Sequence, residues 1–175
     1  GRLGKVRRVP NAVGGHRAHP PKPEKILIER MNKKEYLKAL KSALSASADP
    51  EMVESRMKYK PQHVPFVLDS SVETMSKTSE VMKLLNTLKL LNAVDKWSKS
   101  KTRGALLITS SEKLYLASRN IGGMNAVMTN DLKVRNLAPG THPGRLLLIT
   151  ESAMTDINSK FKEIMMGLYL KESNQ

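Results

Sequence analysis

Four short apolar runs punctuate this 175-residue chain: VPFVL (Val64 to Leu68), ALLIT (Ala105 to Thr109), NAVM (Asn125 to Met128) and RLLLIT (Arg145 to Thr150). Each is continuous rather than alternating, the pattern of strands buried on both faces. Helical stripes lie between and after them. Val81, Leu84, Leu85 and Leu88 form one, Leu114 and Ala117 a shorter one, and Met154, Ile157, Phe161, Ile164 and Leu168 a third. Strand and helix in turn predict an α/β fold, with a mainly parallel sheet covered on both sides. Pro65 is compatible with the first run only because it stands among the first residues of the strand. The length suits one domain with a proper core, and no internal repeat divides it.

The start of the chain cannot join that core. VRRVPNAVGGHRAHPPKPEK, from Val6 to Lys25, has few apolar residues, four prolines and a glycine pair. Through Lys25 the basic residues are Arg2, Lys5, Arg7, Arg8, Arg17, Lys22 and Lys25, opposed only by Glu24, a net +6. HPPKP favours polyproline geometry, because each proline fixes its own φ and restricts its predecessor. The expected organisation is therefore an extended basic arm over residues 1–25, hinged at Gly14 and Gly15, and a globular α/β body over residues 26–175.

A helix should begin after Asn32. This residue is a good N-cap, with Glu35 three positions on as in a capping box. Leu37, Leu40, Leu44 and Ala48 recur at helical spacing before Asp49-Pro50 ends the run. The other face carries Lys34, Lys38, Lys41 and Ser45. Like charges four apart cost a few tenths of a kcal/mol in an isolated helix, a cost that an external anion relieves. A further basic patch, Lys96, Lys99, Lys101 and Arg103, precedes the second strand.

Thirty Lys+Arg against sixteen Asp+Glu leave +14 and a pI near 10.1, which puts nucleic acid first among partners and an anionic membrane second. Aromatic residues are only 4% of the chain, so phosphate contacts rather than stacked bases should carry affinity. Arg7, Arg8 and Arg17 suit phosphate forks, and Gly14-Gly15 would let backbone approach a sugar-phosphate chain closely. No apolar run approaches the ~20 residues of a membrane span, and the basic N-terminus lacks the apolar stretch of a signal peptide, so a soluble protein is expected. Without cysteine there is no disulfide or thiolate metal site, which fits a reducing compartment.

An α/β sheet also invites an enzymatic reading, as a catalyst acting on nucleic acid or nucleotides. Ligands in such folds sit beyond the carboxyl ends of strands, here Asp69, Ser70, Thr109, Ser110, Thr150 and Glu151. Helix capping by Ser110, Thr150 or Ser152, with Asp69 and Glu151 favouring helix N-termini, accounts for the same residues more simply. GTHPGR (Gly140 to Arg145) precedes a strand rather than a helix, and neither a P-loop nor GxGxxG occurs. His16 and His19 form an HxxH whose following prolines prevent a shared helical face, so no metal or other cofactor is expected. His142 reads as a surface turn residue, Trp97 as packing at the end of a short helix, and the methionines as filler.

GGHRAHPPKPEK, followed by MNKKEYLKALKSALSASAD, then SRNIGGMNAV and LAPGTHPGRLLLITESA, closely resembles the archaeal and eukaryotic branch of the large-subunit ribosomal protein L four family. The resemblance runs through nearly the whole chain in order. It implies a non-enzymatic constituent of the cytoplasmic large ribosomal subunit. The body would be a three-layer α/β/α unit with a four-stranded sheet, and a long loop would reach through rRNA toward the nascent-peptide exit tunnel. Gly1 to Lys25 resembles the returning half of that loop. Lys33, Lys34, Lys38 and Lys41 match the family's basic helix, and the arm's Gly14, Gly15, His16 and His19 join its cations as rRNA contacts, together with Lys99, Lys101 and Arg103. The implied partners are large-subunit rRNA, neighbouring large-subunit proteins and nascent peptide near the loop tip; neither a membrane nor a homo-oligomer is expected. A role in binding messenger RNA is compatible with the same surface. Members of the family extend further upstream, and the archaeal type usually has a longer basic run where this chain reads KWSKSKTRG.

Overall fold

The computed structural model describes residues 9–58, 60, 63–99 and 104–172, with the side chains of the last helix followed as far as residue 162. Two compact units divide the chain, Gly1–Met31 and Asn32–Gln175. Residues 9–31 of the first unit form no helix or strand and are almost wholly exposed, including Ile26, Leu27 and Ile28. Its local order is a pair of turns, in which the Ala12 N–H donates to the Val9 carbonyl (3.4 Å) and the Gly15 N–H to the Ala12 carbonyl (2.9 Å). Gly14 takes a φ of 72°, and the space beside Gly15 is filled by the carbonyl oxygens of Val9 and Ala12. The glycine pair thus serves the chain's own turn, which a side chain at either position would strain.

The second unit contains, among the described residues, four strands and seven α-helices. The strands are β1 (Phe66–Leu68), β2 (Ala105–Thr109), β3 (Met124–Met128) and β4 (Leu147–Thr150). They form one sheet of order β1-β4-β2-β3 in which every pairing is parallel. The register aligns Leu107 of β2 with Ala126 of β3 on one side and Leu148 of β4 on the other. The helices are α1 (Lys33–Ala46), α2 (Pro50–Met57), α3 (Thr78–Thr87), α4 (Leu91–Lys99), α5 (Glu112–Ser118), α6 (Val134–Leu137) and α7 (Glu151–Glu172).

Side chains of one strand alternate between faces, so the continuous run of β2 feeds two cores. Ala105 and Leu107 point to a core shared with α2, α3, α4 and α5, through Val53, Leu85, Val94 and Leu114. Leu106 and Ile108 point to the other, shared with α1, α6 and α7 through Leu40, Leu137 and Ala153. The body is therefore a three-layer α/β/α unit. Only β2 and β4 are buried along their whole length; Val67 of β1 and Asn125 of β3 are exposed because those strands are the sheet's edges. The expectation of burial on both faces thus fails for two of the four runs, since strand order, not run composition, decides which strand has a neighbour on each side. Pairing of β1 starts at Phe66, after Pro65, which has no N–H to give to a ladder.

Local signals were partly redirected. Asn32 stands at the N-cap of α1 but makes no side-chain cap bond. Asp49-Pro50 does end that stretch and also starts the next: the Asp49 carboxylate accepts from Glu51 N–H (3.0 Å), with Pro50 in the first helical position where its missing donor costs nothing. Ala48, expected on the apolar face, is exposed, while Ala43 and Ser47 are buried. Met154 is likewise exposed, and Ala153 takes the buried place beside it.

One buried charge fastens the sheet at the amino-terminal ends of its central strands. Arg145 is 1% exposed. Its guanidinium donates to the carbonyls of Gly104 (2.6 Å), Ala105 (3.2 Å) and Asn136 (2.7 Å), and to the Asn125 side-chain oxygen (2.6 Å). The planar fork of arginine matches several fixed acceptors at once, which a lysine cannot do.

Candidate nucleic-acid interface

The α1 helix separates its charges cleanly. Leu37, Leu40 and Ala43 are buried, whereas Lys33, Lys34, Lys38 and Lys41 are all exposed. The Lys41 ammonium lies 5.5 Å from the centroid of the Phe161 ring on α7, a cation–π distance that ties this end of the lysine face to the body. In the first unit, His16, Arg17, His19, Lys22 and Lys25 are exposed. Lys96 and Lys99 are exposed in the last turn of α4. Arg2, Lys5, Arg7, Arg8, Lys101 and Arg103 lie outside the described residues.

Trp97 provides no stacking platform. It is 6% exposed, its ring packs against Gly104, and its indole N–H donates to the Met57 carbonyl (3.4 Å). The exposed lysines of α4 therefore have no tryptophan face beside them and suit phosphate oxygens better than bases, while on α1 Tyr36 is exposed among the lysines.

The crevice at the carboxyl ends of β2 and β4 is closed by its own side chains. The Ser110 hydroxyl donates to the Asp156 carboxylate (2.6 Å) and the Ser111 hydroxyl to the Glu73 carbonyl (3.0 Å). The Ser152 hydroxyl donates to the Glu73 carboxylate, and Thr150 Oγ1, 3.2 Å from Ser152 Oγ, accepts from Ala153 N–H (3.4 Å) at the start of α7. Thr150 therefore caps as expected, but Ser110 does not. Asp69 accepts from the Ser71 hydroxyl (2.6 Å) and the Ser70 N–H (2.9 Å), which together hold its carboxyl below the ordinary aspartate range. The side chains of Asp69, Thr109, Ser110 and Thr150 are thus engaged in structure, while Glu151 is exposed in the first turn of α7. Among the described residues no group of three or more His, Asp or Glu is placed to hold a metal ion, and no helix is long and apolar enough to cross a membrane.

The open space lies at the opposite end of the sheet. A cleft of about 1850 Å³ runs between α2, α4 and the turn from Pro139 to Pro143. Both glycines that precede the central strands pack against its walls, Gly104 on Trp97 and Gly144 on Met52. Arg56, half buried, fixes the turn by donating to the carbonyls of Pro139 (2.8 Å) and Pro143 (3.3 Å). Burial lowers its pKa from the usual value, though a guanidinium remains cationic at neutral pH. Lys96 and Lys99 are part of the lining, joined by Lys58, Lys89 and Arg135. The last three and Arg56 are dispersed in the sequence, so no local charge run announced them.

Fold and site together define an α/β scaffold with cationic outer faces and a sealed strand-end crevice. The family model of the ribosomal protein L4/L1 family matches residues 1–160. The large ribosomal subunit protein uL4 of Methanococcus maripaludis strain C7 is 43% identical over 173 aligned residues, taking in 87% of this chain and 68% of that protein. The protein of the same name from Methanocaldococcus jannaschii is 40% identical, covering 89% of this chain and 69% of its own length. That of Archaeoglobus fulgidus is 37% identical over 163 residues. The chain belongs to the ribosomal protein L4/L1 family, a family of ribosomal proteins rather than enzymes.

Proposed function

We propose that this protein is a structural constituent of the large subunit of the cytoplasmic ribosome, and that it binds large-subunit rRNA mainly through phosphates. The observation that carries the reading is the match to a ribosomal protein family over residues 1–160, in a chain where most of the described lysines and arginines are exposed while the core is filled. The body acts as a rigid anchor. The arm through Lys25 is the main rRNA contact, through Arg2, Lys5, Arg7, Arg8, Arg17, Lys22 and Lys25, with Gly14, Gly15, His16 and His19 between them. The lysines of α1 and the patch at Lys99, Lys101 and Arg103 add further phosphate contacts. The exposure of residues 16–25 supports this reading, because such a segment needs a polyanion to offset the entropy of ordering it. The extended loop reaches toward the exit tunnel, where its tip meets nascent peptide, and the rest of the surface abuts neighbouring large-subunit proteins.

The test is a filter-binding titration of the 175-residue chain against deproteinised large-subunit rRNA across a range of salt. Phosphate binding predicts a log–log slope of about 0.7 to 0.9 per phosphate engaged. A flat salt response would overturn the proposal.

A further inference from the structure

From the cleft at the amino-terminal ends of the central strands, we infer that Lys58, Lys89, Lys96 and Lys99 form a seat for an RNA phosphodiester backbone, held open by Arg56. The inference rests on the proposed rRNA binding and extends its patch at Lys99 into a seat on the body, distinct from the arm and from α1.

Three helix ends deliver these lysines to one place. Lys58 is the C-cap of α2, in the left-handed conformation at φ 50°. Lys89 follows the C-cap of α3 and is also left-handed, at φ 57°. Lys96 and Lys99 occupy the last turn of α4. All four side chains are exposed, and among the described residues none is in an ion pair with a carboxylate.

A simpler role for such lysines is to offset the partial negative charge at helix carboxyl ends. That charge is about half a unit per helix, so three helices use fewer than two of the four lysines. Arg56 and Arg135 raise the cations of the cleft to six. Its carboxylates are Asp49, Glu51 and Asp95. Asp49 and Glu51 sit in the first turn of α2, and an eight-residue helix is about 12 Å long, so they face the end of the cleft away from Lys58. Asp95, beside Lys96 on α4, offsets one of the charges, and the cationic end still carries an excess over it.

The occupant follows from what lines the walls. Trp97 is turned inward and offers bases no face, which leaves His142 as the exposed ring against five lysine and arginine side chains of the lining besides Arg56. Lysine ammoniums are compact charges that take phosphates without requiring a fixed orientation, whereas the Arg56 fork is already occupied by the two carbonyls of the turn. Arg56 is thus a positioning residue that sets the width of the cleft.

The experiment repeats the salt titration on deproteinised large-subunit rRNA with Lys58→Gln, Lys89→Gln, Lys96→Gln and Lys99→Gln, singly and combined. A control set, Lys83→Gln, Lys113→Gln, Lys133→Gln and Lys162→Gln, removes the same charge from exposed positions outside the cleft. The combined cleft variant should lose about 3 from the log–log slope and bind about a hundredfold more weakly near physiological salt, while each single variant loses about 0.7 to 0.9. The single variants keep the test decisive if the combined one folds poorly. Equal losses in the cleft and control sets, or no loss in the cleft set while the unaltered chain keeps its steep salt response, would overturn the cleft and leave the rRNA reading standing. A flat response of the unaltered chain would overturn both. Amine-reactive labelling supplies the second readout: rRNA alone should protect the four lysines, and protection found only in intact subunits would give the cleft to a protein instead.

Discussion

Arg145→Ala should be among the most damaging single substitutions in the body, and its cost can be worked from the contacts. Four acceptors, the carbonyls of Gly104, Ala105 and Asn136 and the side-chain oxygen of Asn125, lose a charged donor. A buried acceptor left without its donor costs about 1 to 3 kcal/mol, so four together cost upward of about 4 kcal/mol. Water can reach the Asn125 end, since that residue is exposed on the edge strand, and this brings the figure to about 4 kcal/mol, within the range for breaking a buried charged network. For a domain whose whole stability is of order 5 to 15 kcal/mol, little of the margin remains. The thermal midpoint should fall by about 8 to 16 °C. Urea unfolding followed by circular dichroism should show a lower midpoint at unchanged slope. Arg145→Lys, which keeps the charge but not the fork, should lose about half as much. If Arg145→Ala falls within about 1 kcal/mol of the unaltered protein, the guanidinium is not the fastening described above.

Gly104→Ala should destabilise by about 2 to 3 kcal/mol, because its methyl would lie 2.5 Å from the Trp97 ring and meet the Gly123 carbonyl, and neither can retreat from a packed core; a midpoint shift near zero contradicts this. Asp69→Asn should remove an acid-sensitive contribution. A carboxyl held below its ordinary range stabilises at pH above the unfolded-state value, and that contribution is lost as pH falls through the folded-state value, so the gap in urea stability between the two proteins should close on acidification; a gap that widens refutes it. Lys38→Gln should leave thermal stability within about 0.5 kcal/mol and lower the salt slope of rRNA binding by about 0.7 to 0.9, whereas unchanged binding removes α1 from the interface. Ser110→Ala should cost stability by stranding the Asp156 carboxylate without touching rRNA affinity, and a loss of affinity at unchanged stability would reopen the strand-end crevice as a functional site.

What the residues reveal unaided divides along physical lines. The run Ala105 to Thr109 matches β2 residue for residue, because an unbroken apolar stretch bounded by glycine and serine is decided locally. The edge position of β1 and β3 was hidden, since it depends on which strands become neighbours. Helix α2 was hidden for a different reason: with Val53 and Met57 as its only buried residues, it has too short a stripe to show periodicity, and its Pro50 reads equally as a stop and as a start. Arg145 looks in the sequence like the polar flank of a strand, and only the carbonyls gathered around it make its burial favourable. The basic faces of the arm and α1 were legible because their charges are consecutive or helically spaced. Of the cleft only Lys96 and Lys99 were legible, as a local patch, because Lys58 and Lys89 leave two other helices and join them only in the fold.

A near-atomic reconstruction of the intact large subunit containing this chain tests the central claim most directly, through the distances from Arg17, Lys22, Lys25 and Lys38 to the nearest rRNA phosphate oxygens. The account predicts charge-assisted contacts of about 2.7 to 3.2 Å along the arm and the α1 face. Those side chains standing in open solvent, remote from any nucleotide, would contradict it.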